Sequence, residues 1–265
     1  MSHALTIDTG RHSTWVERCG EHGVSADDAP REIRIRLAPD SRLTHYRLLG
    51  PGGAADVSDR LTVEVGAGAS YDQRLLAAPA SRYRSTQTIR LEGRGATATL
   101  GAACVALPRA EVELDITVVH AADDTTSDQR INLLGAERGK ATAQVETQVP
   151  PGRRGVRANQ LLRALQPQGT ATIALRPRLA ILSDDVVARH GATTSAIRDD
   201  ELHYLRSRGI ARDDAVAMLS EAFLRQMLPA AEAAEAEEAG EARGLIEQVL
   251  ALALKRDAEA THEAR

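Results

Sequence analysis

Aromatic side chains are nearly absent. Trp15, Tyr46, Tyr71, Tyr83, Tyr204 and Phe223 are the whole set in 265 residues. Polysaccharide and single-strand binders rely on flat rings for stacking, so the deficit argues against both. It also means that the core is filled by Leu, Val, Ile and Ala. Cysteine is scarce as well. Cys19 and Cys104 are too far apart for a CxxC pair and too few for a tetrathiolate metal site. The chain is expected to be cytoplasmic with both thiols reduced. Cys104 lies in the apolar run Ala102-Ala103-Cys104-Val105-Ala106, the setting of an inert buried thiol. Cys19, flanked by Arg18 and His22, is expected to be the more exposed. A net charge of −4 offers no basic surface for phosphate backbones, so nucleic acid is not an expected partner. No run approaches the roughly 18 apolar residues that cross a bilayer, and residues 1–8 hold no apolar core of a signal peptide. Membrane association is not expected.

What is present is short-period alternation. Glu32-Ile33-Arg34-Ile35-Arg36-Leu37, Leu61-Thr62-Val63-Glu64-Val65, Thr88-Ile89-Arg90-Leu91, the run 112–119 and the run 142–149 alternate apolar and polar residues. Such runs are strands with one buried face. Gly-containing corners precede many of them: Gly66-Ala67-Gly68-Ala69, Gly93-Arg94-Gly95-Ala96, Gly139-Lys140-Ala141 and Gly169-Thr170-Ala171. Small residues permit tight corners, and a loose repeat of roughly 20 to 30 residues is the period of a solenoid coil. Stacked coils bury their inward side chains against one another. A β-sandwich, which also uses short alternating strands, is the alternative.

Near residue 198 the pattern becomes helical. Asp199, Asp200 and Glu201 suit the positive end of a helix dipole, and a helix over 201–208 would stop at Gly209. A second helix starts at Asp213 or Asp214, with Ala215, Met218, Leu219, Ala222, Phe223 and Met227 as its apolar stripe. The stretch 229–242 is rich in Ala and Glu. A last amphipathic helix carries Leu245, Ile246, Val249, Leu250, Ala253 and Leu254, before a polar tail. The division is therefore a β domain over 1–197 and a helical domain over 198–265.

Five ordered elements between Pro177 and Leu224 then point to a family. They are Pro177-Arg178-Leu179-Ala180-Ile181, Asp184-Asp185-Val186, His190-Gly191-Ala192-Thr193-Thr194-Ser195, Tyr204-Leu205-Arg206-Ser207-Arg208-Gly209-Ile210 and Ala222-Phe223-Leu224. This region resembles the C-terminal part of the SufB and SufD proteins of iron–sulfur cluster assembly. Weaker echoes lie upstream in Arg42-Leu43-Thr44-His45-Tyr46-Arg47 and at His120, and downstream in 244–250. The resemblance implies a right-handed parallel β-helix followed by a small helical domain. It implies a SufC-like ABC ATPase docked on the helices, and pairing with a second SufB- or SufD-type subunit or with a second copy. It also implies a non-catalytic scaffold that holds an iron–sulfur cluster transiently. Ala188 stands where D-type subunits often carry Cys, Gly191 follows the His where B-type subunits have Glu, and 160–167 lacks the B-type cysteine. The chain is thus closer to SufD, in a short form that lacks most of the N-terminal helical region.

His190 is the candidate metal ligand, since a neutral imidazole suits iron. The alternative is a histidine that bonds across an interface. Asp184 or Asp185 could fix its tautomer, or could only hold a turn. Tyr204, Arg206, Arg208 and Phe223 are the candidate partner contacts, and no catalytic residue is assigned. Gly135-Ala136-Glu137-Arg138-Gly139-Lys140-Ala141 misses the phosphate-loop spacing and lacks its Ser or Thr. His45 and His120 read as core histidines. The rival readings are a stand-alone β-solenoid enzyme acting on a carbohydrate or polyanion, and a degenerate paralogue that only stabilises a complex.

Overall fold

The structure is a computed structural model that describes residues 2–19, 30–52, 56–167, 170–227, 240, 244–246 and 248–249. Strands alternate between two seven-stranded sheets as the chain coils. The odd sheet holds β1 (Ser2–Ile7), β3 (Arg31–Leu37), β5 (Asp56–Val65), β7 (Arg82–Leu91), β9 (Glu111–His120), β11 (Lys140–Val149) and β13 (Thr172–Ile181), in that order. The even sheet holds β2 (His12–Arg18), β4 (Arg42–Leu49), β6 (Ser70–Ala77), β8 (Thr97–Ala106), β10 (Thr126–Gly135), β12 (Val156–Leu165) and β14 (Val186–Ser195). Every pairing is parallel. The fold is a β-solenoid, as the corner repeat and the family resemblance implied, and not a sandwich.

The corners are built as a ladder. Gly10, Asp40, Gly68, Gly95, Asp124 and Gly155 all adopt positive φ, between 56° and 71°. Each of these backbone N–H groups except that of Gly155 donates to a carbonyl of the next coil, as in Asp40 N to Ala67 O and Gly68 N to Arg94 O. Asp and Gly recur because both tolerate the left-handed region. Gly93 answers to a different constraint: a Cβ there would lie 1.9 Å from the Ala67 backbone nitrogen. Gly93→Ala is therefore expected to cost about 3 kcal/mol, because backbone must move. Gly95→Ala, with open space and only its φ of 71° to strain, should cost about 1 kcal/mol. Urea unfolding midpoints of the two variants check the order.

The helices lie on the even sheet. Helix α1 (Asp199–Arg206) gives way to Gly209 at φ 83°, and α2 (Arg212–Arg225) follows. Phe223, Leu224 and Met227, with Ile246 and Val249 from the last helix, bury the outward residues Leu48, Leu76, Ala103, Val105, Leu134 and Leu165. Asn132 Nδ2 donates to Phe223 O at 2.6 Å, and Arg74 reaches Met227 O at 3.2 Å. Gly101 leaves room for that approach, since a Cβ there would lie 3.1 Å from Met227 O. The α2 stripe is rotated from the expected one. Met218 and Ala222 are exposed, while Val216, Ser220 and Leu224 are buried. The first half of the helix packs on Leu202 of α1 and the second half on the sheet, so no single stripe serves both. The stretch 229–242, Gly240 excepted, and the polar tail lie outside the described residues.

Ten side chains in the first coils form a polar ring inside the core. Glu17 Oε2 meets Arg47 Nε at 2.8 Å and His45 Nε2 at 3.1 Å. His45 Nδ1 meets Tyr71 Oη at 2.9 Å, and Tyr71 donates to Gln73. Gln73 donates to Gln87, Gln87 to Ser85, and Ser85 to Asp59. Asp59 returns to Arg47 at 2.8 Å and accepts from Tyr83. Cys19 Sγ lies 4.0 Å from Arg47. This thiol is buried, contrary to the expectation of exposure, and burial pushes its pKa well above the ordinary value. It is buried because Cys19, the residue after β2, keeps the inward phase of Glu17, while the flanking Arg18 faces solvent.

Candidate functional site

The solenoid ends at an open coil. β13 and β14 pair only with β11 and β12 among the described residues. Their inward positions, fully buried in earlier coils, are here half-buried or exposed. His190 belongs to this end. It is the register partner of Gln160 on β12, which is itself the partner of Gln129 on β10. Parallel partners in register share a face, so His190 continues an interior row beyond its last buried member.

Behind it runs a hydrogen-bond chain. Gln160 Nε2 donates to Thr147 Oγ1 at 2.7 Å and to Arg178 O at 3.2 Å. Thr147 donates to Gln129 Oε1, and Gln129 Nε2 donates to Ser127 Oγ. Ser127 Oγ lies 2.9 Å from His120 Nε2, and His120 Nδ1 lies 2.8 Å from Thr125 Oγ1. Burial lowers the pKa of His120 to about 4, so it is neutral. His45 and His120 are thus core histidines, as read from the sequence. Cys104 is buried, and burial raises its thiol to about 12.

Of the two acids, Asp185 is engaged at the turn. Asp185 Oδ2 accepts from the Gly155 N–H, and its carbonyl accepts from Val156 N. This is the turn-holding role. Among the described residues no three His, Cys, Asp or Glu side chains converge in a group that could hold a metal.

The partner candidates divide. Tyr204, Arg206 and Arg208 are exposed on and after α1, with the Arg208 guanidinium 3.8 Å from the Tyr204 ring centroid. Tyr204 lines a groove of about 360 Å³ with Asp200, Glu201, Leu205 and Leu219. Phe223 is not with them. It is buried against the even sheet, under Arg163, and anchors α2 from its inner side. Residues that the sequence reading passed over are Gln160 and the polar ring. Strand parity could have found them, because Asp59 shares the phase of Leu61, Val63 and Val65, and Gln160 that of Ala158 and Leu162.

Comparison with known proteins agrees with this architecture. Residues 2–223 match the family model of the SUF system FeS cluster assembly SufBD core domain. The iron–sulfur cluster assembly protein SufD of Escherichia coli is 27% identical over 256 residues, covering 94% of this chain and 57% of that protein. A SufBD family protein of Synechocystis is also 27% identical, over 84% of this chain and 51% of its own length. The chloroplastic protein ABCI7 of Arabidopsis thaliana is 39% identical over 66 residues, a quarter of this chain and 14% of its own length. The chain thus spans about half the length of the first two. A solenoid of paired parallel sheets and a family match over nearly its whole extent lead to one conclusion: the chain belongs to the SufBD core family of the SUF iron–sulfur cluster assembly system.

Proposed function

We propose that this chain is a non-catalytic scaffold subunit of a SufBCD-type complex in the cytoplasm. The observation that carries the reading is the open last coil. Two edge strands with free backbone groups can accept strands from another chain, and Leu182 and Val187 are large apolar side chains exposed beside that edge. The occupant is a second SufB- or SufD-type subunit, or a second copy. A nascent iron–sulfur cluster is the cargo, held transiently. His190 contributes one imidazole, and since one imidazole cannot hold iron alone the remaining ligands come from the partner.

A SufC-like ABC ATPase docks on the helices, over the groove beside Tyr204 with Arg206, Arg208 and Met218 around it. The tie between α2 and the even sheet lets a pull on the helices reach β8 and β10. Co-expression with such an ATPase, followed by size exclusion with iron and sulfide assay, tests the reading. Co-elution with bound iron that falls in His190→Ala is the expected result. Absence of any complex overturns the scaffold reading. A complex whose iron content ignores His190 keeps the scaffold and discards the ligand.

A further inference from the structure

We infer that Gln160 is a positioning residue for His190: its buried amide oxygen takes the N–H of one imidazole nitrogen and leaves the other nitrogen's lone pair facing out of the open coil. The inference rests on the reading of His190 as the site residue. It starts from an orphan. Gln160 is buried, and its Oε1 has no hydrogen-bond partner among the described residues. A buried acceptor left unpaired costs about 1–3 kcal/mol. The residue in register with it on the solvent side is His190.

The orientation of the amide is dictated from both ends. Turning it over would set Oε1 against the carbonyl oxygens of Arg178 and Val145, which now lie 3.2 and 3.4 Å from Nε2. Two acceptors would then face a third. The far end agrees. Thr125 Oγ1 donates to Ala122 O, so it accepts from the Nδ1–H of His120. Neutral His120 therefore offers a lone pair at Nε2, which takes the Ser127 hydroxyl hydrogen. Ser127 is left to accept from Gln129 Nε2, and Gln129 Oε1 accepts from Thr147. Thr147 in turn accepts from Gln160 Nε2. The donations run one way along the chain, which ends at the unpaired Oε1 of Gln160, the residue in register with His190. A hydrogen-bond donor completes it, and a neutral imidazole supplies one in its ring N–H.

A histidine held in this way presents a fixed nitrogen to whatever docks at the coil end, as outer-shell partners do for metal-binding histidines. The test uses two-bond ¹H–¹⁵N NMR of the full chain without metal, in wild type, Gln160→Leu and Gln160→Met. The expected result is a His190 tautomer ratio in wild type that relaxes toward that of free imidazole in Gln160→Leu. Gln160→Met, which keeps the length of the side chain and removes its acceptor, should give the same relaxed ratio. Identical His190 tautomer shifts in all three proteins overturn the inference, a bridging water on Oε1 included. If Gln160→Leu does not fold, Gln160→Met decides alone. In the ATPase complex, iron(II) affinity should fall about tenfold or more in Gln160→Leu. An NMR response with no effect of His190→Ala on iron would sink the ligand reading and leave the Gln160 contact standing. Iron lost in His190→Ala without any NMR response would do the reverse.

Discussion

Arg47→Met is expected to lower stability by about 3–5 kcal/mol, the cost of leaving buried charge unpaired. The Arg47 side chain is fully buried and holds Glu17 and Asp59, each at 2.8 Å. Burial alone would raise the Glu17 pKa, but Arg47 and His45 hold the carboxyl well below the usual range. Methionine fills much of the space and supplies no charge. Glu17 would keep Arg31, at 2.9 Å, and Asp59 would keep Tyr83 and Ser85. Neither retained set replaces a guanidinium that serves both acids. Domain stability is typically about 5–15 kcal/mol, so the loss takes a large fraction of it. Adding Asp59→Asn to Arg47→Met removes one stranded charge and should recover part of the loss. Urea unfolding of the three proteins measures it, as a shifted midpoint at unchanged slope.

Acid should act on the same region. Burial lowers the pKa of His45 to about 4, with Glu17 opposing and Arg47 assisting, and burial alone lowers His120 to about 4. The ordinary value is 6.5. Between pH 6.5 and 4 the unfolded chain binds a proton at each position and the folded chain does not, so stability falls as pH falls. Each histidine contributes about 3 kcal/mol across that window. Glu17, held below its ordinary 4.5, continues the loss in the same direction at lower pH. Thermal unfolding from pH 7.5 to 4 should show the slope. His120→Asn, which no longer titrates there, should remove about one proton's share of it. A transition temperature independent of pH over that range would overturn both assignments.

The odd sheet was open to reading from the sequence. Its outer face is in solvent, with pairs such as Arg36 and Glu64 at 2.8 Å, so polar and apolar residues alternate along its strands. All the alternating runs found in the sequence lie there. The even sheet hid itself because α2 and the last helix cover the C-terminal halves of its strands. In β8 the run from Leu100 to Ala106 is buried on both faces and shows no period of two. The stripe of α2 was misphased for the related reason that the helix packs on two surfaces. His190 was found through its neighbours in sequence. Gln160 was not, because an interior glutamine looks like a solvent residue until register places it. The polar ring was obscured in the same way: Glu17, Arg47 and Asp59 read as surface charges unless the parity of their strands is followed.

The helical strap on the even sheet also acts as a ruler. Its footprint runs from Asn132 on β10, past Gly101 on β8 and Arg74 on β6, to Gly50 after β4, where a Cβ would lie 3.0 Å from Leu245. Stacked coils are interchangeable in principle, and solenoids lengthen or shorten by whole repeats. Inserting or deleting a coil between β4 and β10 would shift the two ends of the footprint by one strand spacing, about 4.8 Å. When the change falls between β6 and β10, Phe223 O and Met227 O, four residues apart in the chain, could then no longer reach both Asn132 and Arg74. Coil number is therefore counted by the helices in this part of the molecule, and variation in length is confined to the coils outside their reach.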